Sequence, residues 1–316
     1  MKYIESLREG MRISEVYLCK SKQIQLTKAG KEYGSLTLQD KTGLADAKIW
    51  DLRSPGIEDF EAVEYVAVEA DVTSFNGSLQ LNIRRIRKAR EGEYIAADYL
   101  PVSAFNIDDM YEALKKEISL VKNQYLHALL LAVFVEDKEL AQRFKYSSAA
   151  KNVHHSFVGG LLEHSLSVAR LCKYYCSTYP ILSYDLLITS ALFHDLGKTK
   201  EISAFPENDY TDTGQLLGHI IIGVEIINEK AKQIEGFPPK LLDELKHCIL
   251  AHHGELEYGS PKRPALIEAL ALSLADNTDA KIQTMKEILL SANDNKEWLG
   301  YSKLFESNIR KTSLKE

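Results

Sequence analysis

The chain of 316 residues is 45% hydrophobic and 27% charged, which suits one large or two ordinary domains and excludes wholesale disorder. Its net charge of −6 weighs against a protein that coats nucleic acid by charge alone, and four cysteines without a CxxC pair are too few for a disulfide framework. No apolar run approaches about 18 residues, and "MKYIESLREG" lacks a signal-peptide core, so the expectation is a cytoplasmic protein with no membrane partner.

Residues 12–90 read as strands. "RISEVYLCKSKQIQL", "YGSLTLQD", "LADAKIWD", "EYVAVEADVTSF" and "SLQLNIRRIRKA" are rich in Val, Ile, Tyr and Leu. Turn signals separate them: Ala29-Gly30, Lys41-Thr42-Gly43, Ser54-Pro55-Gly56 and Asn76-Gly77, the last a hairpin signature. Five strands with a longer excursion at residues 51–62 fit a small closed barrel of the OB type over residues 1–90; a sandwich fragment is the alternative. These 90 residues carry 15 Lys+Arg against 13 Asp+Glu, whereas the remainder carries 24 against 32. A mildly basic first third beside an acidic remainder suggests two units with different tasks.

OB barrels commonly track single strands by stacking bases on aromatics and meeting phosphates with Lys and Arg. Candidates here are Tyr33, Trp50 and Phe75, with Lys48, Arg84 and Arg85. Trp50 and Phe75 fit a barrel core equally well, and the basic run "RRIRKAR" at 84–90 also fits a solvated strand end.

Residues 91–150 read as a connection, marked by Pro101, followed by the first helices. From about residue 107 the apolar period becomes helical and stays so, giving an all-α region whose functional part is residues 151–316. Cys172 and Cys176, one helical turn apart, read as core.

Five predicted helices each aim a His or Asp from an apolar face. His164 follows Leu161 by three, Asp195 follows Ala191 by four with His194 beside it, and His219 precedes Ile222 by three. His252, with His253 beside it, follows Ile249 by three, and Asp276 follows Leu272 by four. Any one alone reads as a hydrogen-bonded core residue. Five together read as a metal site, because imidazole and carboxylate suit Mn²⁺, Fe²⁺, Co²⁺ or Zn²⁺ and a cation removes the cost of burying ionised aspartates. Two carboxylates and up to five histidines exceed the needs of one ion, so two ions bridged by Asp195 is the economical arrangement.

The pattern His164, "HDLGK" at 194–198, His219, His252-His253 and Asp276, with "GGLLEHSLSVA", "ALFHDLGK" and "LADNTDA", resembles the HD-domain phosphohydrolase superfamily over residues 150–285. The resemblance implies a first metal held by His164, His194, Asp195 and Asp276. It implies a second held by Asp195, His219 and His252, with His253 as a further candidate. It also gives Lys198 to the substrate phosphate, although a lysine after Gly197 can equally complement a helix C-terminus. His154 and His155 lie outside the ligand pattern. They are candidates for substrate phosphate or for a structural role.

The order of an OB-like domain, a short connection and an HD domain, with "AHHGELEYGSPKRP", resembles the YhaM-type 3′→5′ exoribonucleases across nearly the whole chain. That resemblance implies a divalent metal, Mn²⁺ first, and single-stranded RNA as substrate, with single-stranded DNA beside it. It implies release of nucleoside 5′-monophosphates from the 3′ end by a metal-activated hydroxide. The alternative is an HD-type nucleotide or cyclic-nucleotide phosphohydrolase with a regulatory OB domain. The acidic helical part, with its extra N-terminal helices, is also compatible with a homo-oligomer.

Overall fold

The first strand sets the form of the N-terminal half. In the computed structural model, which describes residues 2–75, 78–95, 98–151, 155–291 and 297–313, β1 (Arg12–Leu26) serves two neighbours. Its first half pairs antiparallel with β4 (Tyr65–Phe75) and its second half with β2 (Glu32–Asp40), with a register slip between Cys19 and Ser21. Such a slip bends a strand and raises its twist, which lets one strand belong to both sides of a barrel. β3 (Gly43–Ile49) runs parallel to β5 (Ser78–Lys88), and the order β1-β2-β3-β5-β4 closes.

Alternate residues fill the interior. Leu36 and Leu38 of β2, and Val66, Val68, Ala70 and Val72 of β4, point inward while their neighbours face out. The five-stranded OB-like barrel expected from the sequence is present, with the longer excursion lying between β3 and β4. Asn76 and Gly77, the expected hairpin turn, lie outside the described residues.

Backbone packing divides the chain into Met1–Ala104 with Ser203–Asp209, and Phe105–Ile202 with Tyr210–Glu316. The second unit is helical: α1 (Ile107–Leu120), α2 (Gln124–Leu131), α3 (Lys138–Tyr146), α4 (Gly160–Thr178), α5 (Tyr184–Phe193), α6 (Lys198–Glu201), α7 (Asp212–Ala231), α8 (Pro239–Leu250) and α9 (Ile267–Ser291). Starts are fixed by side-chain caps. Asn106, Asn123, Asp137, Ser183 and Thr211 each accept a hydrogen bond from a first-turn N–H. The helical pattern does not run to the end, because β6 (Trp298–Ser302) and β7 (Ser307–Arg310) form a small hairpin. Among the described residues no helix is long and apolar enough to cross a membrane.

α5 is the spine. Leu186 to Phe193 are all buried, and α4, α8 and α9 pack around it. A helix buried on every side belongs at the centre of a fold, so the residues that follow it, 194–198, start from a fixed position.

Two glycines bring α6 and α7 together. A Cβ on Gly197 would lie 1.9 Å from the His219 carbonyl oxygen, and one on Gly214 would lie 2.2 Å from that of Glu201. Gly218 breaks α7 with φ of 73° and ψ of 157°, a backbone state that glycine reaches without steric cost.

Gly197→Ala should destabilise the helical unit by about 3 kcal/mol or prevent folding, because backbone rather than a flexible side chain occupies the space. Gly223→Ala, whose Cβ would meet its nearest neighbour at 3.4 Å, should change stability by less than about 1 kcal/mol. Denaturant unfolding of both variants checks the contrast.

Candidate metal centre

α4 contributes His164, the turn after α5 contributes His194 and Asp195, α7 contributes His219, the turn after α8 contributes His252 and His253, and α9 contributes Asp276. His164 Nε2 lies 3.1 Å from His194 Nε2 and 3.1 Å from Asp276 Oδ1, and His194 Nε2 lies 3.4 Å from Asp195 Oδ2. The other oxygen of Asp195 faces the second group: Oδ1 is 3.4 Å from His219 Nε2 and 3.8 Å from His252 Nε2. The seven residues thus form two groups that meet at one carboxylate. Ligand-type atoms of His164, His194 and Asp276 gather within 4.8 Å of one another, as do those of His219, His252 and His253.

All five imidazoles are turned the same way. Nδ1 donates to Asp279 Oδ2 at 2.8 Å in His164, to the Ala191 carbonyl at 2.7 Å in His194, and to Glu201 Oε1 at 3.0 Å in His219. It donates to the Ile249 carbonyl at 2.7 Å in His252 and to the Tyr258 carbonyl at 2.9 Å in His253. Each ring therefore directs Nε2 into the cluster, and in a neutral ring the acceptor behind it selects the tautomer that leaves Nε2 a lone pair.

Three buried atoms in this cluster, Asp195 Oδ1, His219 Nε2 and His252 Nε2, have no hydrogen-bond partner among the described residues. Buried polar atoms are normally satisfied. Here three acceptors converge with nothing to share, which is the arrangement a cation completes. Their chemistry, nitrogen and carboxylate oxygen without thiolate, fits a borderline or hard divalent ion.

Protonation follows the same logic. Burial raises the Asp195 carboxyl, but Lys198, with Nζ 2.8 Å away, and the nearby imidazoles hold it well below the usual carboxylate range. Burial and the neighbouring His253 and His194 push His252 well below an ordinary imidazole, so it is neutral and its lone pair is available. His253 is lowered by burial and by His219. His164 moves the other way: burial lowers it, but hydrogen bonds to Asp276 and Asp279 push it up to about 10.

Among the phosphate candidates, Lys198 lines the same cavity as His164, Asp195 and His252. His155 is buried, with Nε2 3.1 Å from Asp279 Oδ2, so its ring engages the carboxylate that also orients His164. His154 lies outside the described residues. The motif pattern did not point to Glu201. Its Oε1 accepts from both the backbone N–H of His219, at 2.9 Å, and Nδ1 of that residue. The Gly218 break frees that N–H from the helix ladder, and Glu201 caps it. The available signal was a glutamate six residues after Asp195 in "HDLGKTKE" that ends up buried.

On the barrel, Tyr33 and Trp50 stack with centroids 5.1 Å apart. Trp50 is 47% and Phe75 63% exposed, so neither is core. Lys48 Nζ bonds to Ser35 and Asp46, the Trp50 indole donates to Asn82, Asn82 donates to Thr73, and Arg84 pairs with Asp71. These bonds join β2, β3, β5 and β4 across one outer face. Arg85 instead lines a cavity of about 620 Å³ beside Glu58 and Glu69.

The HD-domain family model matches residues 161–281, and a helicase family model, TraI_2, matches residues 101–183. The 3′-5′ exoribonuclease YhaM of Bacillus velezensis is 37% identical over 89% of this chain and 88% of its own length. Its namesake from Bacillus subtilis is 35% identical over 89% and 88%. Among solved structures, the HD domain of the Listeria (L. monocytogenes) phosphodiesterase PgpH is 19% identical over 51% of this chain and 78% of that one, with a TM-score of 0.31.

Glu201→Ala should weaken Mn²⁺ binding about 10- to 100-fold. Glu201→Gln should weaken it less, because the amide oxygen keeps both bonds to His219; metal-competition titration reads both. Loading should also release protons, since His164 is protonated below about 10 in the metal-free chain and a ligand must be neutral. Apparent affinity should therefore fall as pH falls, and calorimetry in buffers of different ionisation heat counts the protons.

Proposed function

The chain belongs to the family of YhaM 3′-5′ exoribonucleases, and from that premise we propose that it removes nucleotides from the 3′ end of single-stranded RNA. The products are nucleoside 5′-monophosphates, and single-stranded DNA is a second substrate. Asp195 carries the reading: one oxygen faces His194 and the other faces His219 and His252, beside an open cavity of about 320 Å³. A site of that form suits a phosphodiester with two ions against it.

His164, His194, Asp195 and Asp276 would hold one ion, and Asp195, His219, His252 and His253 the other, with Mn²⁺ the preferred metal and Co²⁺, Fe²⁺ or Zn²⁺ compatible with the donors. Such ions, when bound, lower the pKa of water and offset phosphate charge. Lys198 donates to a non-bridging phosphate oxygen, where its positive charge favours the more anionic transition state. Glu201 and Asp279 keep the rings of His219 and His164 aimed. Ordered ligands hold the reacting phosphate still, which is where much of the rate gain of such enzymes lies.

Residues 1–90 are the strand-holding module, residues 91–150 the connection with the first helices, and residues 151–316 the phosphohydrolase domain. Tyr33 and Trp50 offer a stacking platform, Phe75 another exposed ring, and Lys48 and Arg84 cations on the same face. Arg85 lies beyond them near Glu58 and Glu69 and is the weakest of these candidates.

With Mn²⁺, 5′-labelled RNA should shorten stepwise and a bulky group on the 3′ end should protect it, while chelation stops the reaction. Asp195→Ala should lower the rate at least about 10³-fold, because both ions lose a ligand. Trp50→Ala should weaken RNA binding about tenfold, as the loss of one stacked base predicts. Intact RNA alongside hydrolysis of mononucleotides or cyclic nucleotides would replace this reading with a small-molecule phosphohydrolase.

A further inference from the structure

The cavity beside the metal ligands also holds polar groups that nothing in the described chain uses. α9 presents Ser273, Asp276, Asn277 and Ala280 to the cavity, and Tyr258 joins them from the segment after His253. Asp276 belongs to the ligand cluster. The Ser273 hydroxyl, the Asn277 carboxamide and the Tyr258 phenol make no hydrogen bond among the described residues, and the Tyr258 side chain lies 67% exposed at the rim. Ser273 and Asn277 are one turn apart, so their side chains are neighbours on one face. Ala280, a further turn on, leaves space.

The cavity measures about 320 Å³, at the lower end of small-molecule sites of about 300–1,000 Å³. That volume accommodates one nucleotide. A carboxamide offers a donor and an acceptor side by side, and a hydroxyl offers both. One group in RNA that matches such a set, and that marks an end rather than a sequence, is a vicinal diol. Only the 3′-terminal ribose carries one, since every internal ribose has its 3′ oxygen esterified.

We propose that Asn277 and Ser273, with Tyr258 under the base, form the subsite for the 3′-terminal nucleoside, and that they read its 2′,3′-diol. This deepens the nuclease reading and rests on it. It supplies what the metal ligands alone lack, a reason for the reaction to begin at a 3′ end. With the diol at α9 and the terminal phosphodiester at the ligand cluster, an internal nucleotide fails because its 3′ oxygen is esterified and offers no hydroxyl to donate. The 2′ hydroxyl would also favour RNA over DNA at this position.

The test uses the full chain loaded with Mn²⁺ and three RNAs that differ only in the last residue: unmodified, 2′-deoxy and 3′-O-methyl. Removal of that residue should be about tenfold slower from each modified end, the effect of one lost hydrogen bond to a built polar site. Asn277→Ala should narrow the difference to about twofold with the Mn²⁺ content unchanged, and Ser273→Ala should narrow it in part. Tyr258→Ala should slow all three RNAs alike, and Tyr258→Phe should restore them. Equal rates on the three ends, or a full preference kept by Asn277→Ala, would overturn the subsite. If the wild type shortens none of the RNAs, the nuclease reading fails separately. Calorimetric binding of adenosine 5′-monophosphate against its 2′-deoxy analogue, to wild type and Asn277→Ala, then still judges the subsite: equal affinities in the wild type reject it.

Discussion

The Asp195 carboxylate is 2% exposed, and the helical unit is organised around the cost of placing it there. An ion taken out of water loses several kcal/mol of hydration that must be returned by partners. Lys198 returns part of it from 2.8 Å. Protonated imidazoles around Asp195 return more, but a neutral ring such as His252 turns a lone pair toward the carboxylate and repels it. Three atoms consequently converge without a hydrogen bond among the described residues. A divalent ion resolves that conflict, converting mutual repulsion into shared coordination. The same constraint explains why every ring has an acceptor behind it: without the Nδ1 bonds, the rings could turn Nε2 away and the cluster would relax.

Geometry of that kind needs a rigid frame. α5 is buried along its inner length, so the turn carrying His194 and Asp195 starts from a packed element. α6 and α7 then touch backbone to backbone at Gly197 and Gly214, and Gly218 reorients the chain so that Glu201 can hold the main chain and ring of His219 together. Stability and chemistry are coupled at these glycines, since each close approach both packs two helices and sets the distance between Asp195 and His219.

The barrel follows another principle. Its interior is an alternating apolar lining, and most of its ion pairs are exposed. Exposed pairs contribute about 0–1 kcal/mol each, so the fold rests on the core. Its outer face is left to side chains that bond laterally, from Ser35 through Lys48 to Asp46 and from Trp50 through Asn82 to Thr73. That network fixes the Trp50 indole, on which Tyr33 stacks with its hydroxyl tied to Gln25.

Much was legible in the sequence. Strand alternation and glycine turns marked the five barrel strands, and the 3.6-residue period placed His164, Asp195 and Asp276 on apolar faces, because those signals are local. Local signals also misled or fell silent in places. Gly218 breaks α7 just before His219, and the C-terminal hairpin hides within an otherwise helical pattern. Trp50 and Phe75 could be assigned to core or surface only when the barrel closed, since closure decides which side of a strand is inside. Glu201 and the α9 wall of Ser273 and Asn277 could not be found from spacing. Their partners are eighteen residues away in one case and on other helices in the other. The sequence by itself determined which residues could bind a metal, because ligand chemistry is written in residue type. Only the tertiary structure decided which nitrogen of each imidazole faces the centre and which carboxylate joins the two groups, because those depend on distances between helices far apart in the chain.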